Sequence, residues 1–251
     1  MSATILDMTD GVARLTLNRP ERHNSLVPDL LDSLNANLVQ IAGHEDIRVV
    51  VLQAGGRSFS TGGDVAGFHA VPRGQRRAYA EGLVGSLNRA ILALLNLPVP
   101  VIGRIHGPLT GGSLGFLLAC DLAAITPQAF IQPYYTEVGF SPDGGWTAML
   151  PARIGTARAR EIQLLNRRIS AQEAAMLDLV TACIEADALD ATIDGWVAKL
   201  KTMRPQSMTR TKALLAMDCA AGLQAELHQF LEQIDSDEAD AGMARFLARS
   251  A

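Results

Sequence analysis

Twice in this chain a short, apolar, β-branched run gives way to a glycine-rich loop and then to a helical pattern. "RVVVLQ" (Arg48–Gln53) leads into "AGGRSFSTGGD", and "VIGRI" (Val101–Ile105) into "HGPLTGGSLG". Runs this short and apolar read as buried strands. The adjacent glycines let a ligand approach the backbone, and N–H groups at the start of the following helix favour negative charge. Strand, loop and helix in recurrence imply an α/β fold built from stacked ββα units.

The rest of the pattern agrees. "VARLTL" (Val12–Leu17) alternates, with Ala13, Leu15 and Leu17 on one face, and Asp10-Gly11 supports a hairpin with residues 3–8. Leu30, Leu31, Leu34, Leu38 and Ile41 predict a helix from Pro28 to about Gly43. A second helix is expected over 75–95, ended by Pro98 and Pro100. "LAAIT" and "FIQP" read as short strands. Ser170-x-x-Glu173 is a capping box, and Asp187 or Asp190 is placed to cap a helix running to Leu200. From Gln206 two amphipathic helices are expected, joined near Gly222. Leu223, Leu227, Phe230, Leu231 and Ile234 form an apolar stripe on the last. The expected division is a core over 1–186 and a helical region over 187–251.

Composition narrows the function classes. A chain of 251 residues with 48% hydrophobic and 19% charged residues can bury a sizeable core and is not disordered. A net charge of −4 gives no basic excess for nucleic acid. Three cysteines without a C-x-x-C pair and five histidines without H-x-x-x-H spacing suggest neither a disulfide framework nor a metal site. "MSATILDMTDG" lacks the basic and apolar stretches of a signal peptide. The most apolar stretch, Leu83–Val101, is broken by Ser86, Asn88, Arg89, Asn96 and prolines. A cytoplasmic protein without a membrane segment is expected. Neither glycine loop is G-x-x-x-x-G-K-[ST], nor G-x-G-x-x-G with an acid some twenty residues on, so nucleotide cleavage and dinucleotide binding lack support.

Two N–H donors converging from two such loops would make an oxyanion hole. A third loop, "GFSPDGG" (Gly139–Gly145), sets a lone acid, Asp143, in strong turn chemistry. Alone it is a turn. Beside the two glycine loops it is a candidate catalytic acid presented at a helix start.

Four segments, in order, carry a more specific signal: "LNRPERHNSL" (Leu17–Leu26), "FSTGGDV" (Phe59–Val65), "IHGPLTGGSLGFLLACDLAA" (Ile105–Ala124) and "LLNRRISAQEAAMLDLV" (Leu164–Val180). Together they resemble the motifs of the crotonase superfamily, the enoyl-CoA hydratases and isomerases. The resemblance implies a spiral of ββα turns with C-terminal helices that build a homotrimer or hexamer. It implies an acyl-coenzyme A thioester as substrate, with no separate cofactor. Gly63 and Gly112 match the family's oxyanion donors. Coenzyme A would lie along Arg22 and His23 and the loop Ser60, Thr61, Gly62 and Asp64, with Gly111 and Tyr135 also at the ligand.

The family's hydratases use two glutamates. One lies three residues after the second oxyanion glycine, where this chain has Gly115. The other precedes the G-x-x-P motif, where this chain has Tyr134 or Tyr135, and Glu137 is at least two residues out of register. Asp143, after Gly-x-x-Pro, matches the acid of the Δ3,Δ2-enoyl-CoA isomerases and of the ring-1,2-epoxyphenylacetyl-CoA isomerase type. The resemblance therefore implies an isomerase that moves a double bond with one carboxylate. An apolar pocket would raise that acid's pKa and a helix N-terminus would lower it. The alternatives are hydration, dehalogenation with Asp143 as nucleophile near Trp146, and acyl-CoA binding without chemistry.

Overall fold

The expected hairpin opens the chain: β1 (Thr4–Thr9) runs antiparallel to β2 (Val12–Leu17) and turns at Asp10-Gly11, both at positive φ. Then come α1 (Pro28–Ala42), β3 (Val49–Ala54), α2 (Val65–Ala70), α3 (Arg76–Asn96), β4 (Val101–Ile105) and β5 (Leu109–Thr110). The middle of the chain holds α4 (Leu114–Leu118), β6 (Leu122–Ile125), β7 (Phe130–Gln132), α5 (Tyr135–Val138), α6 (Leu150–Ile154) and α7 (Thr156–Leu164). It continues through β8 (Ile169–Ser170), α8 (Ala171–Met176) and β9 (Ala182–Cys183). Four helices close it: α9 (Leu189–Lys201), α10 (Pro205–Leu215), α11 (Ala220–Gln233) and α12 (Asp237–Ser250). This computed structural model describes residues 2–250.

One sheet has the order β1-β2-β3-β4-β6-β9, parallel from β2 onward. A small second sheet has the order β5-β7-β8. Parallel strands need crossovers, and α1 and α3 supply two of them over one face of the large sheet, while α9, after the last strand, covers the other. Ala13, Leu15, Leu17, Val50, Leu52 and Ile105 join the main core under α1 and α3. Val49, Val51, Ile102 and Ala124 face the other way and pack on Leu189, Ile193 and Val197 of α9. The unalternating run in β3 is thus apolar because both its faces are buried. The α/β architecture with C-terminal helices is as expected.

Three local expectations are corrected. The C-terminal segment forms three helices, α10 to α12, and its break falls at Ala216–Cys219 instead of Gly222. Gly222 lies inside α11, where a Cβ would stand 2.8 Å from the Cβ of Ala148, so this glycine serves close packing. The separate start of α12 had a readable signal in Ser236, whose Oγ accepts from the Ala239 N–H, followed by Asp237, Glu238 and Asp240. At α9 neither Asp187 nor Asp190 caps: the N-cap is Ala188, and Asp190 instead pairs with Arg104 at 2.5 Å. At Ser170 half the capping box forms, the Oγ accepting from the Glu173 N–H, while the Glu173 carboxylate pairs with Arg167.

The loops that follow β2, β3 and β4 are stitched together by backbone bonds. Leu26 N–H donates to Gly62 O at 2.8 Å, and Thr110 N–H to Ser60 O at 3.0 Å. Asn24 is the pin. It is wholly buried at φ 52°, its amide donates to the carbonyls of Gly55 (2.9 Å) and Ser58 (3.1 Å), and its Oδ1 accepts from Arg19 N–H (2.8 Å). Asn24→Ala leaves those three groups unpaired and places alanine in left-handed backbone, which should cost about 2–4 kcal/mol. Urea unfolding measures it, and a loss under about 1 kcal/mol would remove Asn24 from this role.

Candidate active site

Three loops meet backbone to backbone. A Cβ on Gly62 would lie 2.6 Å from Thr110 O, and one on Gly144 would lie 2.2 Å from Gly112 O. A Cβ on Gly112 would lie 2.6 Å from Asp143 Oδ1, so the carboxyl of Asp143 rests beside the Gly112 backbone. In the bridge between Leu26 and Gly63, Leu26 N–H bonds Gly62 O and Asp64 N–H bonds Leu26 O, which leaves the Gly63 N–H outside the pairing. Gly112 sits in the opening 3-10 turn Gly111–Ser113, where N–H groups have no partner from their own helix. Among the described residues neither N–H meets an acceptor, and both glycines line a cavity of about 810 Å³.

Asp143 is 7% exposed, and the 5%-exposed Tyr135 of α5 donates its hydroxyl to Oδ1 at 2.5 Å. Burial pushes the Asp143 carboxyl up to about 7, against the opposing Tyr135 hydrogen bond and with help from the charge of Glu226. Burial, then the Asp143 charge, holds the Tyr135 phenol well above its ordinary value, so it remains a proton donor. The expected helix start is absent. Gly144 and Gly145 take φ 63° and 86°, which a right-handed helix cannot use, and α6 begins only at Leu150. Burial therefore prevails over any helix dipole.

Arg22, His23, Thr61, Gly63, Asp64, Gly111, Gly112, Tyr135 and Asp143 all line the cavity. Ser60 and Gly62, expected at the ligand, do not. Ser60 is wholly buried, donates to Asn24 O at 2.8 Å and accepts from Gly62 N–H at 3.3 Å, so both residues support the loop from behind. Tyr135, expected against coenzyme A, is bonded to Asp143. Arg22 is exposed, 3.7 Å from Asp64. Arg57 adds a cation that sequence reasoning missed, with Nη2 at 3.1 Å from His23 Nε2. Phe68, Phe140 and Phe230 form an aromatic wall with ring centroids 5.2–5.7 Å apart.

The family model for enoyl-CoA hydratase/isomerase matches residues 7–251. The chain belongs to the enoyl-CoA hydratase/isomerase family. A Mycobacterium tuberculosis H37Rv protein named a probable enoyl-CoA hydratase, EchA12, is 34% identical over 222 residues, covering 86% of this chain and 78% of its own. A 4-chlorobenzoyl coenzyme A dehalogenase of an Arthrobacter species is 31% identical over 169 residues, covering 67% and 61% of the two chains. The crystal structure of an enoyl-CoA hydratase from Mycobacterium avium subsp. paratuberculosis K-10 superposes with a TM-score of 0.87 at 28% identity, over 97% of this chain and 98% of that one.

Within this enoyl-CoA hydratase/isomerase scaffold the available acids are few. At Gly115 a Cβ would lie 2.2 Å from Ile91 Cδ1 and 2.8 Å from Gly144 O, so no side chain fits. Glu137 is exposed and lies 3.7 Å from Arg249. Trp146 is wholly buried outside the cavity lining, its Nε1 donating to Gly111 O at 2.7 Å. Glu226 of α11 is buried behind Asp143 and was missed, although an acid on the core side of the Leu223–Ile234 stripe was a visible anomaly.

Two predictions follow from this packing. Gly115→Ala should lose about 1–3 kcal/mol of stability by overpacking against Ile91 and Gly144, and an unchanged urea midpoint would refute the lack of space. For Asp143 the folded state keeps its proton up to about 7, the unfolded chain only to about 3.8. The folded state binds the extra proton between those values, so stability falls as pH rises through this window, by on the order of 4 kcal/mol in full. Asp143→Asn should thus be more stable than the parent at about pH 8 and lose that advantage toward about pH 4. Equal pH dependence in parallel denaturant titrations would contradict the buried acid.

Proposed function

We propose that this protein is an enoyl-CoA isomerase. The Asp143 carboxylate takes a proton from the carbon next to the thioester of a 3-enoyl-CoA. The electron pair moves into the thioester and onto its oxygen, where the Gly63 and Gly112 N–H groups stabilise the dienolate. Protonated Asp143 then returns the proton two carbons away, giving the 2-enoyl-CoA. One observation carries the reading: a single buried carboxylate poised near neutrality stands beside Gly112, while Gly115 leaves no room for a second. A base of pKa about 7 suits proton abstraction at neutral pH.

Arg22 and His23 are neighbours in the chain and Arg57 meets His23, so these three stand together on the cavity lining, which favours a ligand with phosphates there. α10 buries none of its side chains and exposes Leu214 and Leu215, in keeping with C-terminal helices that meet further copies in a homotrimer or hexamer. No helix among the described residues is long and apolar enough to cross a membrane, and we place the reaction in the cytoplasm.

The test uses 3-enoyl-CoA thioesters in heavy water with products followed by mass spectrometry. Isomerisation exchanges hydrogen without adding the mass of water; hydration adds it. Turnover should rise with pH through about 7, and Asp143→Asn should lower kcat roughly 100-fold or more while coenzyme A still binds. A product that has gained water, or turnover that survives in Asp143→Asn, would overturn the assignment.

A further inference from the structure

Glu226 is 4% exposed on a helix face otherwise made of Leu223, Leu227 and Phe230. A carboxylate in such a place is costly unless its oxygens are satisfied. Here four donors converge on it. Oε2 accepts from Gly145 N–H at 2.8 Å, and Oε1 from Thr147 N–H at 2.6 Å, Thr147 Oγ at 2.7 Å and Ala148 N–H at 2.9 Å. Four donors and no acceptor suit the ionised, acceptor-only form.

The three backbone donors all belong to the turns directly after Asp143. Because Gly144 and Gly145 are left-handed, that stretch does not satisfy its own N–H groups as a helix would: the Trp146 N–H reaches Asp143 O only at 3.5 Å. Without Glu226 the buried Gly145 N–H and the part-buried N–H groups of Thr147 and Ala148 would lose their acceptor. Glu226 itself is not part of the cavity lining and does not meet the substrate.

We infer that Glu226 is a positioning residue: it clamps the turn that holds Asp143 against Gly112 and supplies a fixed negative charge at its back. This rests on Asp143 being the catalytic base. The titratable groups acting on Asp143 are Tyr135 from α5, which favours ionisation by its hydrogen bond, and Glu226 from α11, which opposes it. Gly112, beside the Asp143 carboxyl, and Leu87 of α3, beside Gly112, carry no charge. Glu226 also acts on the Tyr135 phenol and on the Cys219 thiol, raising both. Through Glu226 the packing of a C-terminal helix is coupled to the charge state of the acid.

Glu226→Gln keeps the shape, retains an acceptor for Thr147 and Ala148, and turns an amide N–H₂ toward the Gly145 N–H. Glu226→Asp keeps the charge and shortens the reach. Two readouts are taken on folded protein. The first is the acid limb of kcat/KM with 3-enoyl-CoA. The second, without substrate, is the infrared carbonyl band of the protonated acid that Asp143→Asn lacks. In Glu226→Gln both midpoints should fall by at least about half a pH unit, since a like charge has gone, and kcat should drop by up to roughly 100-fold as the turn shifts. Glu226→Asp should lower kcat and leave the midpoints in place. Midpoints unmoved in Glu226→Gln would overturn the inference, as would equal shifts in both variants. If the parent turns over no 3-enoyl-CoA yet the infrared midpoint moves, the isomerase reading fails and the role of Glu226 stands.

Discussion

At the centre of this molecule, stretches of backbone touch with no side chain between them. Gly62 rests on the Thr110 carbonyl, and Gly144 on the backbone of Gly112, at separations where a single Cβ would collide. Parallel pairing delivers two of these loops side by side, because β3 and β4 end at the same edge of the sheet. Close approach then does two things. It leaves Gly63 and Gly112, whose N–H groups meet no acceptor among the described residues, on the lining of one cavity, and it lets a carboxylate from the third loop lie beside one of them. Every other element of the site depends on that contact: Asn24 ties the first loop to it, and Glu226 the last.

The contact also explains how an acid can be buried here. Asp143 is buried, and its ionised form is disfavoured by that burial and by Glu226. Only the hydroxyl of Tyr135 stabilises the charge among the named influences. These opposed effects leave the group near neutrality and not fixed in either state, which is the condition for taking and returning one proton. Tyr135 thus tunes the acid it touches through a single hydrogen bond.

Much of this was legible in the chain. The alternation of Val12–Leu17, the unbroken run in β3 and the two glycine loops specified the α/β core, because period and length distinguish half-buried from fully buried strands. The site glycines and Asp143 were legible through motifs in register. Side-chain partnership was not. Ser60 and Gly62 sit inside a motif that touches the cavity, yet they face away, and no spacing rule says which residues of a loop turn inward. The helix expected at Asp143 failed for a local reason that was available, since two successive glycines permit left-handed backbone. Glu226 lies 83 positions from Asp143, and a contact across that distance has no signature beyond an acid misplaced in an apolar stripe.

The walls of the cavity bear on which chemistry one acid can perform. A reacting water must be held by two or more polar partners, since an unheld water in an apolar pocket is not a stable occupant. Beside Gly63 stands Phe68, whose ring would lie 3.2 Å from a Cβ there, and Phe68 packs on Phe140 and Phe230. Asp143 offers one polar partner, Tyr135 is already committed to it, and Gly115 excludes another. Hydration needs a water fixed and activated on the substrate as well as a proton for carbon. Isomerisation needs neither the water nor the second group: a single carboxylate can reach both carbons of a flat dienolate while the two N–H groups hold its oxygen. The apolar wall and the one buried acid of the cavity are therefore parts of one arrangement, and both support the proposed isomerase over a hydratase.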